Sequence, residues 1–226
     1  MKDRQIPANV LIALCVVALA VGCAATAQAQ TLRCPAPIEP VVSVNLEKPE
    51  PRLVTRQDMA ALRGMAGIGE QQDALGLYTA ELRTALNVRY KVQQRGNSAC
   101  LWVSDAEIVL EFEERTIYIA RELSPGSCRY NVTLAHERGH ARVDDAMIAR
   151  HVPQLRRAVA DAVWRAGVIG PIDADALHEA QQRMGVQIER VFRQKVDQFE
   201  AQRRAAQTAR DTPEAYREAA EYCRGR

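Results

Sequence analysis

The sequence predicts an α+β fold, an N-terminal antiparallel sheet followed by a block of helices, and three observations carry that prediction. Between Ala80 and Val92, the apolar residues Leu82, Leu86, Val88, Tyr90 and Val92 alternate with Glu81, Arg83, Asn87, Arg89 and Lys91. That is a period of two, with one dry face and one wet face. A second run sets Ile108, Leu110 and Phe112 against Glu107, Glu111 and Glu113. After residue 127 the period turns helical and stays so to the end. Strands first and helices afterwards indicate α+β rather than alternating α/β.

In order along the chain, residues 1–29 read as a signal peptide. Lys2 and Arg4 give a charged start, Val10 to Val21 is an unbroken apolar run, and Ala27-Gln-Ala29 supplies small residues for cleavage after Ala29. Two alternatives remain open. Leu19-Ala-Val-Gly-Cys23 loosely matches a lipobox, which would tether the protein to a membrane through Cys23, and the stretch from Val10 to Ala27 could stay as an anchor. All three place the body of the protein outside the cytoplasm, periplasmic or secreted. Removing the signal leaves Cys34, Cys100, Cys128 and Cys223, enough for two disulfides in an oxidising compartment. Cys34–Cys100 with Cys128–Cys223 is the favoured pairing. The 226 residues suffice for one sizeable core, and the formal net charge of +2 gives no reason to expect nucleic acid or an anionic membrane as partner.

Residues 30–74 form an extended lead-in. Five prolines between Pro35 and Pro51 leave room for one short strand, Val41 to Asn45, and Asp58 opens a short helix to about Met65. Residues 75–226 make the main domain. The run from Ala80 to Val92 is long for a strand, so it should contain a bend or bulge. Arg95-Gly-Asn-Ser98 turns the chain into Ala99 to Val103, and Glu114-Arg115 is expected to turn it again into Thr116 to Arg121, which completes an antiparallel meander. Four helices should follow: Cys128 to Arg150, a second from Pro153 to the break at Gly167 to Pro171, a third from Ala174 to Thr208, and a fourth opened by Pro213. Trp102 and Trp164 are expected to pack, and the Asn131-Val-Thr133 sequon is discounted because it falls inside a helix.

The first of these helices carries Leu134-Ala-His-Glu-Arg-Gly-His140, an H-E-x-x-H sequence. A four-residue spacing stacks His136 and His140 on one helix face, where both imidazoles can reach one metal ion. Neutral imidazoles suit Zn2+, and Glu137 beside them can act as general base on a water at the open position. Two histidines need a third protein ligand. The preferred candidate is Glu214: if Cys128 pairs with Cys223, the last helix runs antiparallel to the motif helix, and at about 1.5 Å per residue Glu214 comes level with the histidines. His178, Glu179, Glu189 and Asp144 remain alternatives, with Asp144 and Asp145 also read as solvated or as partners orienting His140. Tyr216 reads as packing and Arg217 as a surface residue. Gly139 costs helix stability relative to alanine, so a backbone should approach it closely, and the strand Thr116 to Arg121 is the expected neighbour.

Tyr118-Ile-Ala-Arg-Glu-Leu123, Cys128-Arg-Tyr-Asn131, His136 to His140 and the closing Asp211-Thr-Pro-Glu-Ala-Tyr216 together resemble a group of secreted bacterial proteins described as zinc-dependent proteases, within the zincin superfamily of metallopeptidases. The resemblance spans residues 75 to 223. It implies zinc at His136 and His140 and a catalytic Glu137, and leaves the third ligand and the substrate open. Arg138 departs from the extended zincin pattern, which prefers an uncharged residue there. The function expected is therefore an exported zinc metallopeptidase acting on a peptide or protein substrate. The alternatives are a zinc amidase acting on cell-wall peptides, which would use the same centre, and a non-catalytic, disulfide-braced envelope protein that binds a partner.

Overall fold

The computed structural model describes residues 31–69 and 73–224, so the expected signal peptide over residues 1–29, with Cys15 and Cys23, lies outside the described residues. The elements are β1 (Val41–Glu47), β2 (Arg52–Val54), α1 (Met59–Ala66), β3 (Gly76–Arg95), β4 (Ser98–Ile119), α2 (Cys128–Ala166), β5 (Val168–Asp173), α3 (Leu177–Thr208) and α4 (Pro213–Arg224), with one 3-10 turn at Ala174–Ala176. This is a mixed α+β architecture. Among the described residues no helix is long and apolar enough to cross a membrane.

The sheet is built on one long hairpin instead of a meander. β3 pairs antiparallel with β4 along almost its whole length, and the expected irregularity in the long run is present as register shifts at Ala80/Leu82 and Arg89/Tyr90. The other edge of β4 is occupied in succession by β5, antiparallel, and by β1 and β2, both parallel. The sheet is therefore mixed, and the extended lead-in is part of it. β4 does not turn at Glu114-Arg115 because Arg115 points inward. Its side chain is 0% exposed, and it donates to Tyr78 Oη at 3.0 Å, to the carbonyls of Pro49 and Ala141 at 3.0 Å each, and to Asp145 Oδ1 at 2.8 Å. A buried guanidinium with four acceptors is compatible with continuous strand. Two adjacent charges in a sequence look the same whether they face water or such a cage.

α2 is also continuous where a break was expected, and Pro153 lies inside it. Pro153 is on the exposed face, where the Ala149 carbonyl that loses its partner can be hydrated. On the opposite face Ile148, Leu155, Val159 and Val163 are buried. Burying each is worth about 1.5–3 kcal/mol, which together outweighs the roughly 3 kcal/mol cost of an interior proline. Pro153→Ala should accordingly stabilise the protein by about 1–3 kcal/mol, less than the full propensity difference because proline also restricts the unfolded chain. A urea titration reads this as a raised midpoint at unchanged slope.

The main core lies between one face of the sheet (Val42, Val103, Ala106, Ile108, Leu110), the second half of α2 (Leu155, Val159, Ala162, Val163) and α3 (Met184, Ile188, Phe192, Val196). The α3 residues recur every four positions, a single buried stripe on an otherwise polar helix. Trp164, expected to pack, is 54% exposed. Both favoured disulfides are present: Cys34–Cys100 ties the lead-in to β4, and Cys128–Cys223 ties the end of α4 to the start of α2. Such bridges are compatible with an oxidising, extracellular compartment.

Candidate metal centre

The first turn of α2 is set by Ser127, whose hydroxyl accepts from the Tyr130 amide at 3.2 Å. Counting from there, His136 and His140 emerge one turn apart on one face of α2, and their Nε2 atoms stand 3.1 Å apart. The third group at this point is Asp211. Its Oδ1 lies 3.0 Å from His136 Nε2 and 2.9 Å from His140 Nε2. Asp211 sits in the turn between α3 and α4, which is wound by hydrogen bonds from Arg210 N to Gln207 O and from Asp211 N to Thr208 O, each 3.1 Å.

His136, His140 and Asp211 form a group that could hold a metal ion. Three donors at 2.9–3.1 Å from one another come close to the separation of about 3.3 Å between ligand atoms on one face of a tetrahedral zinc site. Two imidazoles and a carboxylate are also a donor set that zinc accepts. The residues present therefore fit the ion that the motif implies.

Glu214, the preferred third ligand, is not brought to the histidines. Its side chain is 63% exposed and pairs with Arg217 at 2.7 Å. The disulfide does place α4 against α2 as supposed, but the nearby carboxylate belongs to the turn before α4, three residues earlier. His178 accepts from Gln182 Nε2 at 2.9 Å, Glu179 pairs with Arg183, and Glu189 pairs with Arg193 at 2.8 Å, all along the outer side of α3. The side chain of Tyr216 lies outside the described residues.

Asp144 is neither solvated nor a ligand. It is fully buried, at 0% exposure. Arg203 grips it through Nε at 2.7 Å and Nη2 at 2.9 Å, Tyr78 Oη donates to it at 2.8 Å and Gln207 Nε2 at 2.6 Å. Gln207 connects this network to the centre. Its Nε2 donates to Asp144 and also to the His140 carbonyl at 3.1 Å, so its Oε1 is the atom facing His140 Nδ1 at 2.6 Å. An amide oxygen only accepts, so Nδ1 carries a proton and Nε2 is the ring nitrogen that a metal ion beside Asp211 and His136 would take. Asp145 stands apart from the centre: despite partial burial, Lys48 and Arg115 hold its carboxyl below the usual range. Burial raises the pKa of Tyr78. Burial also opposes charge on His140, but the hydrogen bonds to Asp211 and Gln207 and the carboxylates of Asp211 and Glu137 outweigh it, and its pKa rises.

Glu137 is 5% exposed. Burial lifts its carboxyl from the ordinary 4.5 to about 7, against the nearby histidines and the Tyr78 backbone amide, which favour the anion. The start of β3 lies against it: a Cβ at Gly76 would stand 2.7 Å from Glu137 Oε1 and 2.7 Å from Thr133 Cγ2. Only glycine lets the strand approach this closely. Gly139 has a different neighbour from the one expected. A Cβ there would overlap the guanidinium of Arg210 and not strand Thr116 to Arg121.

Sequence reasoning missed Gly76, Tyr78, Arg115, Arg203, Gln207, Arg210 and Asp211 as parts of this centre. For Asp211 a signal existed: it is the carboxylate in the short break between the long third helix and Pro213, close to where the preferred ligand was sought. Fold and site together define an α+β protein with a candidate two-histidine, one-aspartate metal centre. No family model, curated protein or solved structure matches the chain.

Proposed function

We propose that this chain is an exported zinc-dependent metallopeptidase of the zincin type, hydrolysing peptide bonds in a peptide or protein substrate. The observation that carries the reading is the convergence of His136 Nε2, His140 Nε2 and Asp211 Oδ1 on one point, with the buried carboxyl of Glu137 in the same turn of helix. When bound, zinc supplies a Lewis acid that polarises a carbonyl and makes water nucleophilic near neutral pH. Glu137 takes up a proton at its carboxylate and returns it to the departing amine. His140 is kept in the required tautomer by Gln207, and Asp211 supplies the negative charge that offsets a dication. Export is supported by the two disulfides.

Metal analysis of the correctly oxidised protein tests the reading. Wild type should carry zinc in near-stoichiometric amount after purification without chelator. His136→Ala, His140→Ala and Asp211→Ala should each lose most of it, while Glu214→Ala should keep it. A wild-type protein that neither contains nor takes up zinc would end the proposal.

A further inference from the structure

The two glycine-bounded contacts around the centre differ in kind. Gly76 makes room for the acid, whereas Gly139 makes room for a side chain that comes from the segment carrying the third metal-facing group. The guanidinium of Arg210 lies against Gly139. A single added carbon there would overlap its Nη2 and Cζ and stand 2.9 Å from Nε. Nη2 reaches the His136 carbonyl at 3.4 Å, a long bond, and among the described residues Nε is buried without a hydrogen-bond partner. A buried donor left unpaired is unfavourable, so hydrogen bonding does not explain why the guanidinium is there. Its fit to the gap in α2 does. Arg210 immediately precedes Asp211, and the two tight turns ending at Arg210 and Asp211 leave the aspartate little freedom of its own.

We infer that Arg210 is a positioning residue for Asp211, and that Gly139 is the seat it requires. The pair fixes how far along α2 the α3–α4 turn docks, and thereby holds Asp211 Oδ1 at 2.9–3.0 Å from the two histidines. This rests on the reading of the centre as a metal site. It also gives the glycine inside H-E-R-G-H a purpose other than flexibility. Elsewhere on a helix, glycine to alanine is stabilising. Here the added methyl must displace the end of the Arg210 side chain, whose Nε is buried, and on this inference the third ligand moves with it.

The test is zinc affinity, by competition against a chromophoric chelator, for wild type, Gly139→Ala, Arg210→Ala, Asp211→Ala and the doubles Gly139→Ala/Arg210→Ala and Gly139→Ala/Asp211→Ala. Gly139→Ala should bind at least tenfold more weakly than wild type. Adding Arg210→Ala should recover part of that loss, because the added methyl then has space. In the Asp211→Ala background, Gly139→Ala should cost nothing further, since the ligand it acts through is already gone. Gly139→Ala with wild-type affinity would overturn the inference, and so would an equal loss in the Asp211→Ala background, which would mean that the glycine acts on the helix itself. Wild type that takes up no zinc would remove the metal reading and this inference with it, an outcome separate from the other two. Urea midpoints in chelator provide a metal-free check: Gly139→Ala should lower the midpoint and Arg210→Ala should restore it, whereas a rise on Gly139→Ala alone would contradict the steric seat.

Discussion

Glu137→Gln is expected to reduce peptide hydrolysis by about 10²–10⁴-fold while the protein keeps its zinc, because the substitution removes proton transfer and leaves all three metal-facing groups in place. Glutamine can still accept from the Tyr78 amide, so the local fold should survive. The same variant makes a second prediction, about stability in the absence of metal. Folding raises the pKa of Glu137 from 4.5 to about 7, so between those values the folded protein binds more protons than the unfolded one. Stability therefore falls as pH rises from about 4.5 to about 7, and is flat above. The shift corresponds to a penalty on the order of 3 kcal/mol at pH 8. In chelator, Glu137→Gln should be more stable than wild type at pH 8 by about 1–3 kcal/mol and indistinguishable from it at pH 4. Urea unfolding at the two pH values checks this. Equal stability at both would show that the carboxyl is not desolvated as described.

Asp144→Ala should be the most destabilising single change at the centre, costing about 3–5 kcal/mol. It removes one buried anion and leaves a guanidinium, a phenol and an amide facing the space it occupied. Arg203 would be the most expensive of these to leave, with its side chain only 18% exposed and its ring partner Phe112 at 5.5 Å. Asp144→Ala/Arg203→Ala should then cost less than the sum of the two single changes. Zinc affinity should fall as well, by about 10–100-fold, because Gln207 loses the anion that orients its amide and with it the hold on His140 Nδ1. Gln207→Ala separates the two effects: it should weaken zinc binding by a similar factor at a smaller cost in stability.

The parts of this molecule that were legible in the sequence are those encoded by neighbours. Alternation from Leu82 to Val92 marks a strand because both faces are written in adjacent residues, and His136 and His140 mark a helix face because one turn joins them. Arg115 looks like a turn residue for the same reason: its four acceptors come from residues 49, 78, 141 and 145, and none of them alters the local pattern. Propensity alone places a helix break at Pro153, and packing of the flanking apolar residues overrides it. The sequence points to a third ligand inside the last helix, where the rise can be counted. The carboxylate at the centre lies in the turn, where no regular rise applies. Tyr78, Asp144, Arg203 and Gln207 form one network drawn from three elements, and nothing in the spacing of those four numbers signals it.

The placement of β1 and β2 has a consequence for how the chain is made. Val41 is among the earliest described residues, yet its partner is Asp105, and Arg52 finds its own only at Thr116. While the polypeptide emerges from its N-terminal end, both segments stay without a neighbour until the hairpin has come out and closed. The earliest-made strands of the described sheet thus wait for a partner that is made some sixty residues later.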